Sequence, residues 1–199
     1  MENRPVGSAG ENDLSNLRCP VAKSIVKIYR QMAQQDPDQY LSRVAETLNN
    51  LGFAEREQKR MAEARQHYEE ALKIRRQLAQ QDATAYLPYV ATTLNDLGIL
   101  DAVEGRTDDA RQHYEEALQH YRRLAQQDQE TYLPYVAATL NNLALADESQ
   151  KRIEESRAHF TEDLTIYREL AQGDSARYAG DVARVESSLE ELEKRSPSQ

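Results

Sequence analysis

Three histidines, His67, His113 and His159, stand 46 residues apart. Imidazoles at a fixed step are the first residues in this chain that could do chemistry, as metal ligands or as acid–base groups. A shared metal fails on distance. Equivalent atoms of successive structural repeats lie on the order of 10 Å apart or more, whereas donors to one zinc must converge to about 2 Å from it. Each histidine instead precedes an aromatic, Tyr68, Tyr114 or Phe160, which predicts packing at the surface. The single cysteine, Cys19, precedes Pro20 near an expected helix start, with no second thiol or nearby histidine to make a nucleophile or redox pair. The pairs Glu69-Glu70 and Glu115-Glu116 fall opposite the Tyr and Leu face of their helices and read as solvated carboxylates. No glycine-rich phosphate loop, zinc-ligand spacing or nucleophile elbow occurs. The expectation is a chain without catalysis, cofactor or metal.

The elements that carry these residues follow from the same step. Tyr40, Tyr86, Tyr132 and Tyr178 are separated by 46 residues, as are Asp36, Asp82, Asp128 and Asp174, and Val44, Val90, Val136 and Val182. Residues 40–85 and 86–131 are identical at 25 of 46 positions, including an unbroken block at 64–72 and 110–118. Such self-similarity marks a repeat architecture. Within 86–131, Val90, Leu94 and Leu97 form one apolar run at helical spacing. Ala110, Tyr114, Ala117, Leu118, Tyr121 and Leu124 form another. Between them Gly105 suits a left-handed turn, Thr107 can cap the next helix, and Asp108 and Asp109 suit its positive end. Each repeat is predicted to be a helical hairpin. Pro88 and Pro134 are expected where the next hairpin's first helix begins, because a missing N–H costs nothing there.

The expected organisation is a disordered segment at 1–18, a repeat array at 19–195 and a frayed tail at 196–199. Residues 19–39 repeat only the second-helix pattern and form a half-repeat. Full repeats follow at 40–85, 86–131 and 132–177, then a capping helix at 178–195 with the polar run Glu190-Glu191-Leu192-Glu193-Lys194.

Composition limits the partners. There is no Trp, two Phe and eleven Tyr, and 30% of residues are charged, so the core is thin and spread along the chain. A formal net charge of −9 repels phosphate, and no local basic stripe offsets it, which argues against nucleic acid. No apolar run reaches the roughly 18–20 residues needed to cross a bilayer, and no signal-peptide core is evident. A cytoplasmic location is expected, and one cysteine agrees with a reducing compartment.

The residues Leu94, Leu97-Gly98, Ala110, Tyr114 and Ala117 resemble the tetratricopeptide repeat pattern, in its long-period subset similar to kinesin light chains. Leu48, Leu51-Gly52, Ala64, Tyr68 and Ala71 match it again. The third repeat keeps Leu140, Leu143 and Phe160 but has Ala144, Ser156 and Asp163 in place of Gly, Ala and Ala, which predicts a helix pair set further apart or shifted in register. The tyrosine the pattern expects in the first helix is replaced by Glu55, Asp101 and Asp147. The resemblance implies an all-α, right-handed solenoid of antiparallel hairpins whose first helices line a concave groove.

In that register Asn49, Asn50, Asn95, Asp96, Asn141 and Asn142 face a bound segment, where amides can donate to and accept from a peptide backbone of any sequence. Phe53, Ile99 and Leu145 add an apolar strip, with Arg56 and Glu148 at the groove ends. The basic clamp for a C-terminal carboxylate is not evident. The expected function is a non-catalytic adaptor or scaffold that holds a peptide segment of a client protein. The alternatives are a self-associating scaffold, hence a homo-oligomer, and a small acidic chaperone for a secreted or assembly-prone client.

Overall fold

A computed structural model of the chain describes residues 11–195. Among them are eight α-helices and no strand: α1 (Glu11–Gln35), α2 (Pro37–Glu57), α3 (Met61–Gln81), α4 (Ala83–Val103), α5 (Thr107–Ala125), α6 (Gln129–Ser149), α7 (Ile153–Gly173) and α8 (Ser175–Arg195). None is long and apolar enough to cross a membrane. The first three helices form one compact unit and the remaining five a second. The N-terminal unit is the half-repeat helix α1 on the hairpin α2–α3. The C-terminal unit holds the hairpins α4–α5 and α6–α7, with α8 against α7.

Helix α1 starts at Glu11, within the segment expected to be disordered. Residues 11–18 contain neither Gly nor Pro, so nothing local interrupts a helix there. Residues 1–10 and 196–199 lie outside the described residues.

Aspartates, not prolines, start the first helices. Asp36, Asp82 and Asp128 cap α2, α4 and α6, each Oδ1 accepting from a backbone N–H three residues on, at 3.1, 3.0 and 3.0 Å. Asp174 does the same for α8 at 3.0 Å. Each such cap contributes about 1 kcal/mol. At Asp128 the hydrogen bonds to Thr131 also hold the carboxyl below its usual range. Pro37 occupies the first turn of α2, but Pro88 and Pro134 lie inside α4 and α6. The capping carboxylate, which satisfies otherwise orphaned donors, fixes the start one turn earlier than proline alone suggests. Thr107 is likewise the first residue of α5, not its cap, while Asp108 and Asp109 do occupy the first turn.

The hairpins close on small residues. A Cβ added at Gly52 would lie 2.9 Å from the Tyr68 ring, and one at Gly98 would lie 2.5 Å from that of Tyr114. Glycine is therefore what lets each aromatic reach the opposite helix. Leu94, Leu97, Ala110 and Ala117, with their third-repeat counterparts Leu140, Leu143, Ser156 and Asp163, are all buried. Each such leucine contributes roughly 1.5–3 kcal/mol. In the N-terminal unit Val26, Ala33, Val44, Leu48 and Ala71 form the core, with Tyr29 and Tyr40 packed against it.

The turn after each first helix takes a left-handed residue. Gly105 has φ +76°, and Lys59 and Lys151 occupy the same step with φ +60°.

Candidate functional site

In the C-terminal unit the first helices α4, α6 and α8 present polar side chains to one another. Asn142 Nδ2 donates to Asn95 Oδ1 at 3.1 Å, joining α6 to α4. Arg184 on α8 donates to Asn141 Oδ1 at 2.5 Å and to Asp181 at 3.4 Å, and its guanidinium lies 5.8 Å from the centre of the Tyr167 ring. Arg195 donates to Glu148 at 2.5 Å. The amides of Asn95, Asn141 and Asn142 are thus engaged between helices, yet each has four hydrogen-bonding positions and retains capacity for a ligand.

Partly exposed apolar groups lie on the same two helices, α4 and α6. Leu145 is 48% exposed and Ile99 half-buried. Tyr89 and Tyr135, which the sequence reading did not single out, are 53% and 49% exposed. Tyr135 stacks on Tyr121 with ring centres 5.2 Å apart, and Tyr132 lies 6.3 Å from it. The signal was present in the recurring Leu-Pro-Tyr-Val at 87–90 and 133–136. Asp96 is half-buried.

The N-terminal unit carries the same positions differently. Asn49 is buried and its Oδ1 accepts from buried Arg75 at 2.9 Å, so it serves the hairpin interior. Asn50 is exposed. Phe53 is 49% exposed and lies beneath the Arg56 guanidinium at 4.9 Å, a cation–π pair on the surface.

The periodic histidines have a partner that two separate periodic series, read along the chain, had not joined. His67 Nδ1 lies 2.5 Å from Glu55 Oε2, His113 Nδ1 2.7 Å from Asp101 Oδ2, and His159 Nδ1 2.9 Å from Asp147 Oδ2. All three carboxylates are fully buried. They stand where the repeat pattern expects tyrosine, and each spans its hairpin as that ring would. The histidines are therefore ties to buried acids, not merely surface packing. Cations also lie against these acids: Lys23 and Arg60 at Glu55, Arg106 at Asp101, and Arg111 at Asp147. Among the described residues no cluster of three or more His, Cys, Asp or Glu could hold a metal. Buried Cys19 lies 3.7 Å from Gln58 Oε1.

One buried acid lacks such ties. Asp163 is fully buried on α7, and neither carboxylate oxygen has a hydrogen-bond partner. Burial pushes its pKa up to about 7, against the pull of Arg184 and with the push of Asp181. Burial likewise raises the Tyr167 hydroxyl to about 12.

Two family models, both described as tetratricopeptide repeat, match residues 43–123 and 136–176. Among solved structures, the chain is similar to BtubC (BKLC) from P. vanneervenii, with a TM-score of 0.67 and 25% identity. That match covers 89% of this chain and 65% of the other, so the chain spans about two-thirds of that protein's length. The fold is also that of the N-terminal domain of stress-induced protein-1 (STI-1) from C. elegans, with a TM-score of 0.57, 17% identity, and 78% and 99% of the two chains covered. No curated protein matches.

Proposed function

The chain belongs to the tetratricopeptide repeat family, whose repeats mediate protein–protein interaction and are generally not catalytic, and we propose that it is an adaptor or scaffold holding a peptide segment of a client protein on the first helices of its C-terminal unit. In this reading Asn95, Asn141 and Asn142 meet the peptide backbone, and Leu145, Ile99, Tyr89 and Tyr135 receive its apolar side chains. In the N-terminal unit, taken by itself, Asn50, Phe53 and Arg56 hold the corresponding repeat positions. Asn49, being buried, supports the hairpin instead. A cytoplasmic setting agrees with the single buried thiol.

The observation that carries this reading is the exposure of Leu145 and Tyr135 on α6, the helix whose Asn141 and Asn142 stand in the row of amides. Large apolar side chains grouped on one face of a highly charged chain mark an interaction surface. The row is also sequence-tolerant, since amides read backbone more than side chains.

The test is selection of peptides from a displayed library by the purified chain, followed by titration of the selected peptide against Leu145→Arg and Tyr135→Ala. Each variant is expected to weaken binding by about tenfold or more, the loss of one well-packed apolar anchor, with helicity unchanged by circular dichroism. Equal affinity for variants and wild type would overturn the proposed surface. Selection of no peptide, with light scattering showing the chain bound to itself, would favour the self-associating scaffold.

A further inference from the structure

Position 163 is the small-residue slot of its hairpin: its counterparts Ala71 and Ala117 are fully buried. A carboxyl in that slot is enclosed as the alanines are, yet both its oxygens are without hydrogen-bond partners. Burying an unsatisfied polar group is costly, and an ionised one far more so. The two charged groups that act on it, Arg184 and Asp181 of α8, are paired with each other. From α8, Arg184 is turned to Asn141 and Asp181. On α7 itself, Tyr167 follows one turn later and His159 precedes by one turn. His159 is bound to Asp147 of α6, which also holds Arg111 of α5. Such an arrangement suits a neutral acid.

We propose that Asp163 is a proton-controlled latch on α8. Neutral, it lies dry against α8 while Arg184 remains on Asn141. Ionised, it releases its proton to solvent and becomes a buried charge without hydrogen-bond partners, its burial outweighing the pull of Arg184; water can reach it only as α8 moves off α7, which breaks the Arg184–Asn141 tie.

Helix α8 is well placed to respond. It buries three large side chains, Tyr178, Val185 and Leu192, and its polar ties to α6 are Arg184 with Asn141 and Arg195 with Glu148. Loss of the first leaves one tie to α6, beside the exposed Arg168–Glu186 pair that joins α8 to α7 at 2.7 Å. The sign follows from the raised folded-state pKa. An undocked carboxyl ionises near pH 4 and a docked one near pH 7, so docking is tightest in acid, weakens across that interval and is level above it. Release of Arg184 would also alter the Asn141 end of the proposed client surface, coupling client binding to pH. That coupling alone rests on the function proposed above; the latch does not.

Hydrogen exchange of the whole chain tests it, with rates corrected for intrinsic chemistry and α8 peptides compared between wild type, Asp163→Asn and Asp163→Ala. Going from about pH 6 to about pH 8, wild-type α8 is expected to lose protection by about tenfold, one pKa unit of differential proton binding. Both variants should stay level, and the α4–α5 hairpin should be level in all three. The alanine variant restores the residue its counterparts carry, so failure to fold is not expected of it. A carbon-13 carboxyl titration of Asp163 should show a midpoint near neutrality. A midpoint at the ordinary aspartate value, or the same α8 profile in wild type and variants, would overturn the latch, whatever the peptide-selection experiment finds.

Discussion

The α4–α5 and α6–α7 hairpins are built on one 46-residue pattern, yet they differ in what fills the seam between helices. In α4–α5 the small residues are Gly98, Ala110 and Ala117, against Tyr114, and the polar links across the seam, Asp101 with His113 and Thr92 with Tyr121, are mutually satisfied. In α6–α7 the same steps hold Ala144, Ser156 and Asp163, against Phe160. The Ser156 hydroxyl and both Asp163 oxygens are buried without partners. The repeat tolerates these changes because each replacement is small enough for the slot. What they cost is polar, not steric. The second hairpin is therefore the better guide to what holds the fold, and the third to where it can yield.

The largest expected difference tests what the hairpins share, the buried carboxylate. Asp147 is fully buried, with His159 at 2.9 Å and Arg111 at 3.0 Å. Changing both His159 and Arg111 to alanine strands a buried charge, and urea unfolding near neutral pH should show a loss of about 3–5 kcal/mol. A loss under about 1 kcal/mol, the size of an exposed ion pair, would mean that Asp147 finds water or another cation and that the tie is not structural.

That network also shows where reading the sequence stops. The 46-residue step declared the hairpins, because periodic apolar residues need only their own spacing to be recognised. The histidines and the acids at Glu55, Asp101 and Asp147 were each visible as a periodic series, but pairing them requires knowing how the two helices of a hairpin face each other. The asparagine row has the same limit. Its place on the first helices could be read from residue type, whereas the bond from Asn142 to Asn95 depends on the offset between α6 and α4. At the helix starts two signals competed. Asp82 and Asp128 recur at the same step as Pro88 and Pro134, and a side chain that satisfies orphaned N–H groups decides the boundary more strongly than a residue that merely lacks one.

A smaller difference separates the seams by volume. Gly98→Ala would put a methyl 2.5 Å from the ring of fully enclosed Tyr114, and overpacking of this kind costs about 1–3 kcal/mol. The opposite change in the third hairpin, Ala144→Gly, relieves nothing and should cost about 1 kcal/mol in helix propensity. Chemical denaturation of both variants checks the pair. Were Gly98→Ala neutral, the close approach of Tyr114 would not require glycine and the contrast between the seams would be one of polarity alone.

The smallest expected effect concerns the turns that precede α5 and α7. Gly105 and Lys151 hold the same left-handed conformation, at φ +76° and +60°, and equivalent bonds close the two turns. Arg106 N–H donates to the Asp101 carbonyl at 2.8 Å and Arg152 N–H to the Asp147 carbonyl at 2.9 Å. Because the bonding is the same, the difference lies in the residue's own conformational cost. A side chain in this region is penalised by about 1–2 kcal/mol, while glycine forfeits part of that advantage through the freedom it has when unfolded. Lys151→Gly is therefore expected to raise stability by about 1 kcal/mol, and Gly105→Lys to lower it by a similar amount. Equal and opposite shifts in the denaturation midpoint would show that the α6–α7 hairpin carries backbone strain at its turn as well as unsatisfied polar atoms in its seam. If Lys151→Gly destabilised, the lysine side chain would have to be making up for its backbone, and the weakness of the third hairpin would be confined to Ser156 and Asp163.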